Sequence, residues 1–160
     1  MSCRQPFKNI KAVLPGLLLF ILPAYSHGSA IQDTIQKILT CKTNDSVKIT
    51  RLSDLTNGTW SSSETSEAIF SMITFSKDLS SKKDLALCYR KIAIAYLNLQ
   101  YYDNALQYAL KAVQTFKQIN DKPGLAASYN VLANCYQSKG EITNDTIFYN
   151  RCIEYHQKNI

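Results

Sequence analysis

The stretch LALCYRKIAIAY, Leu85 to Tyr96, recurs forty residues later as LAASYNVLANCY, Leu125 to Tyr136. The two copies carry leucine, alanine and tyrosine at equivalent places, in the pairs Leu85/Leu125, Ala86/Ala126, Tyr89/Tyr129, Ala93/Ala133 and Tyr96/Tyr136. These places follow the i, i+3, i+4, i+7 spacing that lines one face of an amphipathic helix. The repetition therefore predicts two equivalent helices, each of which begins a structural unit of about forty residues.

A second helix follows the first copy, in the sequence YYDNALQYALKAV from Tyr101 to Val113. Its alanines Ala105, Ala109 and Ala112 lie along one helical face. Small side chains on a helix that is otherwise bulky indicate that another helix approaches closely there. The residues NDKPG, 120–124, predict the end of this helix, and QSKGEITND, 137–145, predict the turn that follows the second copy.

These helices resemble the tetratricopeptide repeat, a helix–turn–helix unit with small, leucine and tyrosine residues at fixed places on its first helix and alanine and aromatic residues on its second. The earlier copy, which begins at Ala86, matches that pattern at Tyr89, Ile92, Ala93, Tyr96, Tyr102, Ala105 and Ala112. It departs from the pattern at Ala109, where an aromatic residue is usual. The later copy, which begins at Ala126, matches at Tyr129, Leu132, Ala133, Tyr136, Gly140 and Tyr149, and departs at Ile142, Asp145 and Cys152.

A degenerate copy precedes these two. Residues 45–55 are similar to the first helix of the unit and residues 63–79 to the second, with Ala68 at the small position. Trp60 falls in the connecting turn, where we expect it to cover the open end, and Ile31 to Cys41 predict one more short helix. The resemblance covers residues 45–160 and implies an all-α fold, a right-handed superhelix of helical hairpins with a concave face.

The N-terminus has the pattern of a signal peptide. Arg4, Lys8 and Lys11 precede the apolar run from Ala12 to Leu22, and small residues follow it. The run is shorter than the roughly 20 residues that span a bilayer. We therefore expect residues 1–26 to be removed, with cleavage as late as residue 30 as a second option. The expected location is periplasmic or extracellular, and an uncleaved N-terminal anchor is the alternative.

The expected domain plan has three parts. A short N-terminal capping helix occupies residues 27–43. A domain similar to tetratricopeptide repeats occupies residues 44–160, with a degenerate repeat over 44–83, a repeat over 84–123 and a repeat over 124–160. Exported bacterial members of this family, many from the Bacteroidetes, carry such arrays ahead of sensor kinases or regulators.

Charge and cysteine content narrow the classes of partner. The full chain carries +6, and removal of the three basic residues before Ser26 leaves 6 − 3 = +3. No block of five like charges occurs, which argues against nucleic-acid binding. Cys41, Cys88, Cys135 and Cys152 match no metal motif. Within the repeat frame the last three take small positions as apolar filler, and a Cys135–Cys152 disulfide remains the alternative.

No catalytic motif is present, so no enzyme activity, cofactor or metal is expected. The resemblance implies that the first helix of each unit lines the concave groove, where family members hold peptides through Lys, Arg and Asn side chains. In this chain the candidate partner-binding residues are Arg90, Ile94, Leu97, Asn98, Asn130, Asn134 and Gln137. Asn130 and Asn134 are one helical turn apart, so their amides could pair side by side with an extended peptide.

Two functions follow from these features. In the first, the chain is an exported scaffold that binds a peptide or protein in its groove, as the sensing or interaction part of a signalling system. In the second, it is a structural protein that forms homo-oligomers. The last hairpin is apolar and is followed by no polar capping helix, so it could stack against a second copy.

Overall fold

The structure, a computed structural model, describes residues 30–57 and 61–143, and beyond them the single positions 147, 150, 153, 154 and 157. Six helices occupy the two continuous ranges: α1 (Ala30–Thr40), α2 (Asp45–Asp54), α3 (Ser62–Ser76), α4 (Lys82–Asn98), α5 (Tyr102–Gln118) and α6 (Lys122–Thr143). No strand occurs among the residues described. The all-α class is therefore confirmed for this part of the chain, and α1 forms where the capping helix was expected.

Side-chain caps explain where three of the helices begin. The Asn44 side chain accepts a hydrogen bond from the Val47 amide at the start of α2. Ser61 and Glu64 form a reciprocal capping box at the start of α3. Ser81 accepts from the Asp84 amide at the start of α4. Each cap satisfies a backbone donor that the first helical turn leaves without a partner.

Two equivalent turns end α4 and α5. Gln100 (φ 64°) and Asn120 (φ 54°) both adopt the left-handed conformation directly after the helix. In each turn the next amide donates to a carbonyl five residues back, from Tyr101 to Tyr96 and from Asp121 to Phe116. This is the Schellman arrangement, which reverses the chain within a few residues. The helix end expected at residues 120–124 is therefore confirmed, since α5 ends at Gln118.

The helices pack in two rows. α4 contacts α2 and α6 in one row, and it also contacts α3 and α5 in the other. α1 contacts α2 and α3, while α3 and α5 do not contact each other. Successive helices joined by short turns are thus neighbours, as in helical hairpins.

The alanine face is buried as the sequence predicts. Ala105, Ala109 and Ala112 are all 0% exposed. Ala105 and Ala109 belong to a cluster in which α4, α5 and α6 meet, whose other buried members are Ala93, Val131, Leu132 and Cys135. A second buried cluster joins α1, α2, α3 and α4. The methyl groups therefore mark the places where three helices come together.

Tyrosines fill the space between α4 and α5. The Tyr108 ring lies 5.7 Å from the Tyr96 ring and 5.9 Å from the Tyr89 ring, measured between centroids. The Lys111 ammonium group lies 4.6 Å from the centre of the Tyr108 ring. Burial, reinforced by the neighbouring tyrosines, raises the pKa of the Tyr108 phenol. The separations between these rings are typical of packed aromatic pairs, so the tyrosines have a packing role between α4 and α5.

The prediction of a turn over residues 137–145 is wrong for the part of this range that the structure describes, residues 137–143. α6 continues through Tyr136 to Thr143, and Gly140 is buried inside it. An isolated glycine in the sequence suggests a break, but Gly140 is buried, and we infer that the packing around α6 outweighs the low helix propensity of glycine. The expectations for Trp60, Asp145, Tyr149 and Cys152, and for the signal peptide over residues 1–26, fall outside the described residues.

The cysteines described are free thiols. Cys88 and Cys135 are buried at 0% exposure, as expected for apolar filler. Cys135 is therefore not in a disulfide, although the other member of the alternative pair lies outside the described residues. Cys41 is half-buried, and the Arg51 guanidinium donates a long, weak hydrogen bond to its sulfur at 3.9 Å.

Alkaline pH is expected to destabilise the fold through Cys88 and Cys135. Burial raises the pKa of both thiols from 9.0 to about 12. The folded state therefore binds these protons more tightly than the unfolded chain does. Their contribution to stability is complete below the unfolded pKa of 9.0 and is lost as pH rises toward about 12. At about pH 10 each thiol contributes about 1.4 kcal/mol less to the free energy of unfolding than it does at neutral pH.

Urea unfolding at about pH 8 and about pH 10 measures this loss. The matched variant is Cys88→Ala/Cys135→Ala, in which lysines and tyrosines titrate as before. We expect the variant to lose about 3 kcal/mol less than the parent over this interval, because it lacks two buried thiols. Equal losses in the two proteins would contradict the prediction.

Candidate functional site

The first turns of α2, α4 and α6 lie side by side and line one cleft. Its volume is about 600 Å³. Because all three helices contribute their N-terminal ends, they run in the same direction. We call this cleft the N-terminal cleft; it is lined by Ser46, Lys83, Asp84, Leu87, Arg90, Phe116, Asp121, Pro123, Gly124 and Ala127.

Arg90 is the candidate partner-binding residue that lies in the N-terminal cleft. Its side chain is half-buried, and its guanidinium carbon lies 5.6 Å from the centre of the Phe116 ring. Burial lowers the pKa of Arg90 and the nearby Asp121 carboxylate raises it, so the group stays charged. No residue of the described part accepts a hydrogen bond from this guanidinium. The guanidinium, which has five N–H donors, therefore lies against an aromatic ring and donates to no acceptor in the ranges 30–57 and 61–143.

Asp121 joins the first turn of α6 to α4. Its carboxylate accepts a hydrogen bond from the Gly124 amide at 2.9 Å and so caps α6. The same carboxylate forms an ion pair with Lys83 of α4, with 3.3 Å between nitrogen and oxygen. The Gly124 amide, followed by Lys83, holds the pKa of Asp121 below its usual range. Asp121 thus fixes the edge of the cleft, and its charge also acts on Arg90, from which it accepts no hydrogen bond.

Phe116 and Gly124 form the back wall of the cleft. Phe116 is 2% exposed. A β-carbon built on Gly124 would lie 2.3 Å from two carbons of the Phe116 ring, so only glycine admits the ring at this distance. The close contact places the ring under the Arg90 guanidinium. The support for Arg90 therefore comes from residues that are far from it in the sequence.

Ile94 and Leu97 have a packing role. Both are half-buried, and both pack against the cluster at which α4, α5 and α6 meet. Their remaining exposed surface is apolar. These two candidates therefore pack against the neighbouring helices, and only the rest of their surface can line a groove.

Asn98 is exposed at the C-terminal end of α4. Its side-chain amide donates to the Asn57 side chain at 3.0 Å, which joins the end of α4 to the segment after α2. The N-terminal cleft lies at the opposite end of α4. Asn98 and Arg90 are thus two turns apart on one helix and belong to different parts of its surface.

The three candidates on α6, Asn130, Asn134 and Gln137, are exposed. The α6 residues that line the cleft end at Ala127, so Asn134 lies about 10 Å farther along the helix. The Gln137 amide donates to Glu141 one turn later, at 3.0 Å. The structure therefore places Arg90 in the lining of the cleft, whereas Asn130 and Asn134 lie beyond Ala127, the last α6 residue that lines it.

Sequence reasoning missed the residues that support the cleft around Arg90, among them Lys83, Phe116, Asp121 and Gly124. A signal for Asp121 was present, because it stands forty residues after Ser81, the residue that caps α4. No comparable signal marks Phe116, which contributes to the cleft only because α5 ends beside α4 and α6. Pro123 and Gly124 lie in the first helical turn of α6 and not in the connection between α5 and α6.

Other kinds of site are not found among the residues described. No group of three or more His, Cys, Asp or Glu side chains is placed to hold a metal ion in that part of the chain. None of its helices combines the length and the apolar character needed to cross a membrane. Comparison of the chain with protein-family models, with curated proteins and with solved structures finds no match.

Proposed function

We propose that the chain is an exported helical-repeat scaffold that binds an extended peptide or a protein segment across α4 and α6. The observation that carries the proposal is Arg90, a half-buried cation that has no acceptor in the described part of the chain and rests on the Phe116 ring. A polar donor group held against an apolar wall, here Phe116 and Leu87, is a common anchor in recognition sites. No catalytic role is proposed.

The ligand that fits this surface is a polypeptide in extended conformation. Arg90 would bind an acceptor group of the ligand in the N-terminal cleft. Asn130 and Asn134, one turn apart on α6, would bind backbone amides and carbonyls farther along it. Leu87 and Ala127, both half-buried, offer apolar contact within the cleft. The resemblance to tetratricopeptide repeats supports the same assignment.

The test is affinity capture from the native cell envelope with the full chain as bait. We expect Arg90→Ala/Asn130→Ala/Asn134→Ala to weaken retention of its partner about tenfold or more, because one buried arginine anchor alone is often worth 2 kcal/mol. The matched control is Gln107→Ala/Gln114→Ala/Lys117→Ala, which removes three exposed polar side chains from α5. Unchanged recovery with the first variant would refute the assignment of the groove.

Self-association is the second candidate function. Ile142, Ile147 and Ile153 are large apolar side chains with exposures of 64%, 65% and 55%. Exposed apolar side chains near the C-terminus favour contact with a second copy. A monomer in sedimentation experiments at high concentration would exclude this function. The outcome is independent of whether the groove binds a peptide.

A further inference from the structure

The outer side of α3 is uncharged between Glu67 and Lys77 and presents one large exposed aromatic ring. From Ala68 to Ser76 the helix carries no charged residue. Ala68, Ile69 and Met72 are buried in the core, whereas Phe70 points outward and is 69% exposed. Phe70 is flanked on this side by the small exposed residues Ser66 and Thr74, so its ring projects from the helix surface. The inner partners are the other helices, and the outer side is uncovered by the described residues.

Recesses lie on both sides of Phe70. One, of about 320 Å³, is lined by Leu39, Phe70, Ser71, Thr74, Phe75 and Asp78. A second, of about 340 Å³, lies toward α4, and a third, of about 560 Å³, lies between α1 and α3. The first recess has Leu39 and Phe75 as apolar walls and the small residues Ser71 and Thr74 on α3 itself. A projecting ring and a recess that could receive one therefore stand on the same helix.

We propose that two copies of this chain associate through α3, with the two helices antiparallel about a two-fold axis beside Met72. A two-fold contact brings one surface against itself, so it requires a projection and its recess on the same surface. In this register Phe70 of each copy lies opposite Thr74 of the other and enters the recess walled by Leu39 and Phe75. The interface lies on the row opposite to α2, α4 and α6, so it leaves the N-terminal cleft open.

The charges at the two ends of this face support the antiparallel register. Glu67 lies one turn before Phe70, and Lys77 lies one turn after Thr74, on the same side of α3. The two-fold axis places Glu67 of each copy opposite Lys77 of the other. A parallel arrangement would instead set like charges against each other. The centre of the contact is apolar and its rim is charged, which is the usual anatomy of an interface.

Sedimentation of the full chain over a range of concentrations tests the proposal. We expect a reversible dimer, and we expect Phe70→Lys to raise its dissociation constant about tenfold or more, because the variant places a charge in the apolar centre. Leu110→Lys is the matched control, since Leu110 is an exposed leucine of α5 that is 44% exposed. Phe70 is mostly exposed, so the helical circular dichroism and unfolding midpoint of the variant should equal those of the parent.

Charge reversal tests the register. Glu67→Lys and Lys77→Glu should each weaken the dimer several-fold, and the double variant should recover most of the loss because it restores opposite charges across the axis. A parent chain that stays monomeric, or a Phe70→Lys variant that dimerises like the parent, would overturn the proposal. Dissociation by Ile147→Lys and not by Phe70→Lys would also overturn it, and would assign the contact to the C-terminal residues.

Discussion

Phe116→Ala is expected to lower the free energy of unfolding by about 3–5 kcal/mol. The ring is 2% exposed and fills the space between the end of α5 and the first turn of α6. Its removal leaves a cavity, because Gly124 has no side chain with which to fill the gap. Urea unfolding measures the change, and Phe116→Leu, which keeps most of the volume, should lose clearly less. A loss below about 1 kcal/mol would contradict the packing described here.

Gly124→Ala gives an independent check of the same contact. In the parent the added methyl group would lie 2.3 Å from the ring, so overpacking should cost about 1–3 kcal/mol. In the Phe116→Ala background that space is vacant, and the same substitution should stabilise by up to about 1 kcal/mol through the better helix propensity of alanine. The sign of the effect therefore reverses. Equal effects in the two backgrounds would show that ring and glycine do not touch.

Removal of the Phe116 ring should also affect binding. The ring supports the Arg90 guanidinium at 5.6 Å and excludes water from one of its sides. Without it, Arg90 becomes a more mobile and more hydrated cation, and the proposed ligand should bind more weakly. Phe116→Leu separates this effect from unfolding, because it preserves most of the packing but not the aromatic face.

The pattern of small residues made the centre of this fold predictable from the sequence. Ala93, Ala105 and Ala133 occupy their places because a helix repeats its faces every three to four residues, and this spacing is visible in any single helix. The forty-residue recurrence then shows that α4 and α6 are equivalent. Local chemistry also fixed the helix boundary near Asn120. What could be predicted was therefore the information contained within one helix or repeated along the chain.

The parts that could not be predicted depend on contacts between distant residues. Gly140 reads as a turn residue by itself, and only its burial in α6 explains why the helix continues through it. Arg90 was predicted to be a groove residue, but neither its contact with Phe116 nor the Lys83–Asp121 ion pair has a local signature in the sequence. Asn130 and Arg90 were expected to line one groove, and of the two only Arg90 lines the N-terminal cleft. Such distances arise from packing and not from spacing along the sequence.

The second large effect is expected at Ala109, where the unit that this chain resembles carries an aromatic residue. Replacement by the residue usual in the family, Ala109→Phe, would be expected to stabilise if sequence pattern alone decided the outcome. In this chain the position is 0% exposed and lies where α4, α5 and α6 meet, against Ala93 and Leu132. A ring there must push helices apart, so we expect destabilisation by about 3 kcal/mol.

The control is the adjacent substitution Leu110→Phe, which enlarges an exposed side chain of the same helix by a similar step and should change stability by less than about 0.5 kcal/mol. Chemical unfolding of both variants beside the parent decides the matter. A neutral or stabilising effect of Ala109→Phe would show that a ring fits between the helices. That result would contradict the close approach of α4, α5 and α6. A large loss at 109 with none at 110 would instead show that the methyl face sets the spacing of the array. The family pattern would then indicate which residues face inward. The side-chain size that each position accepts would depend on its neighbours in this chain.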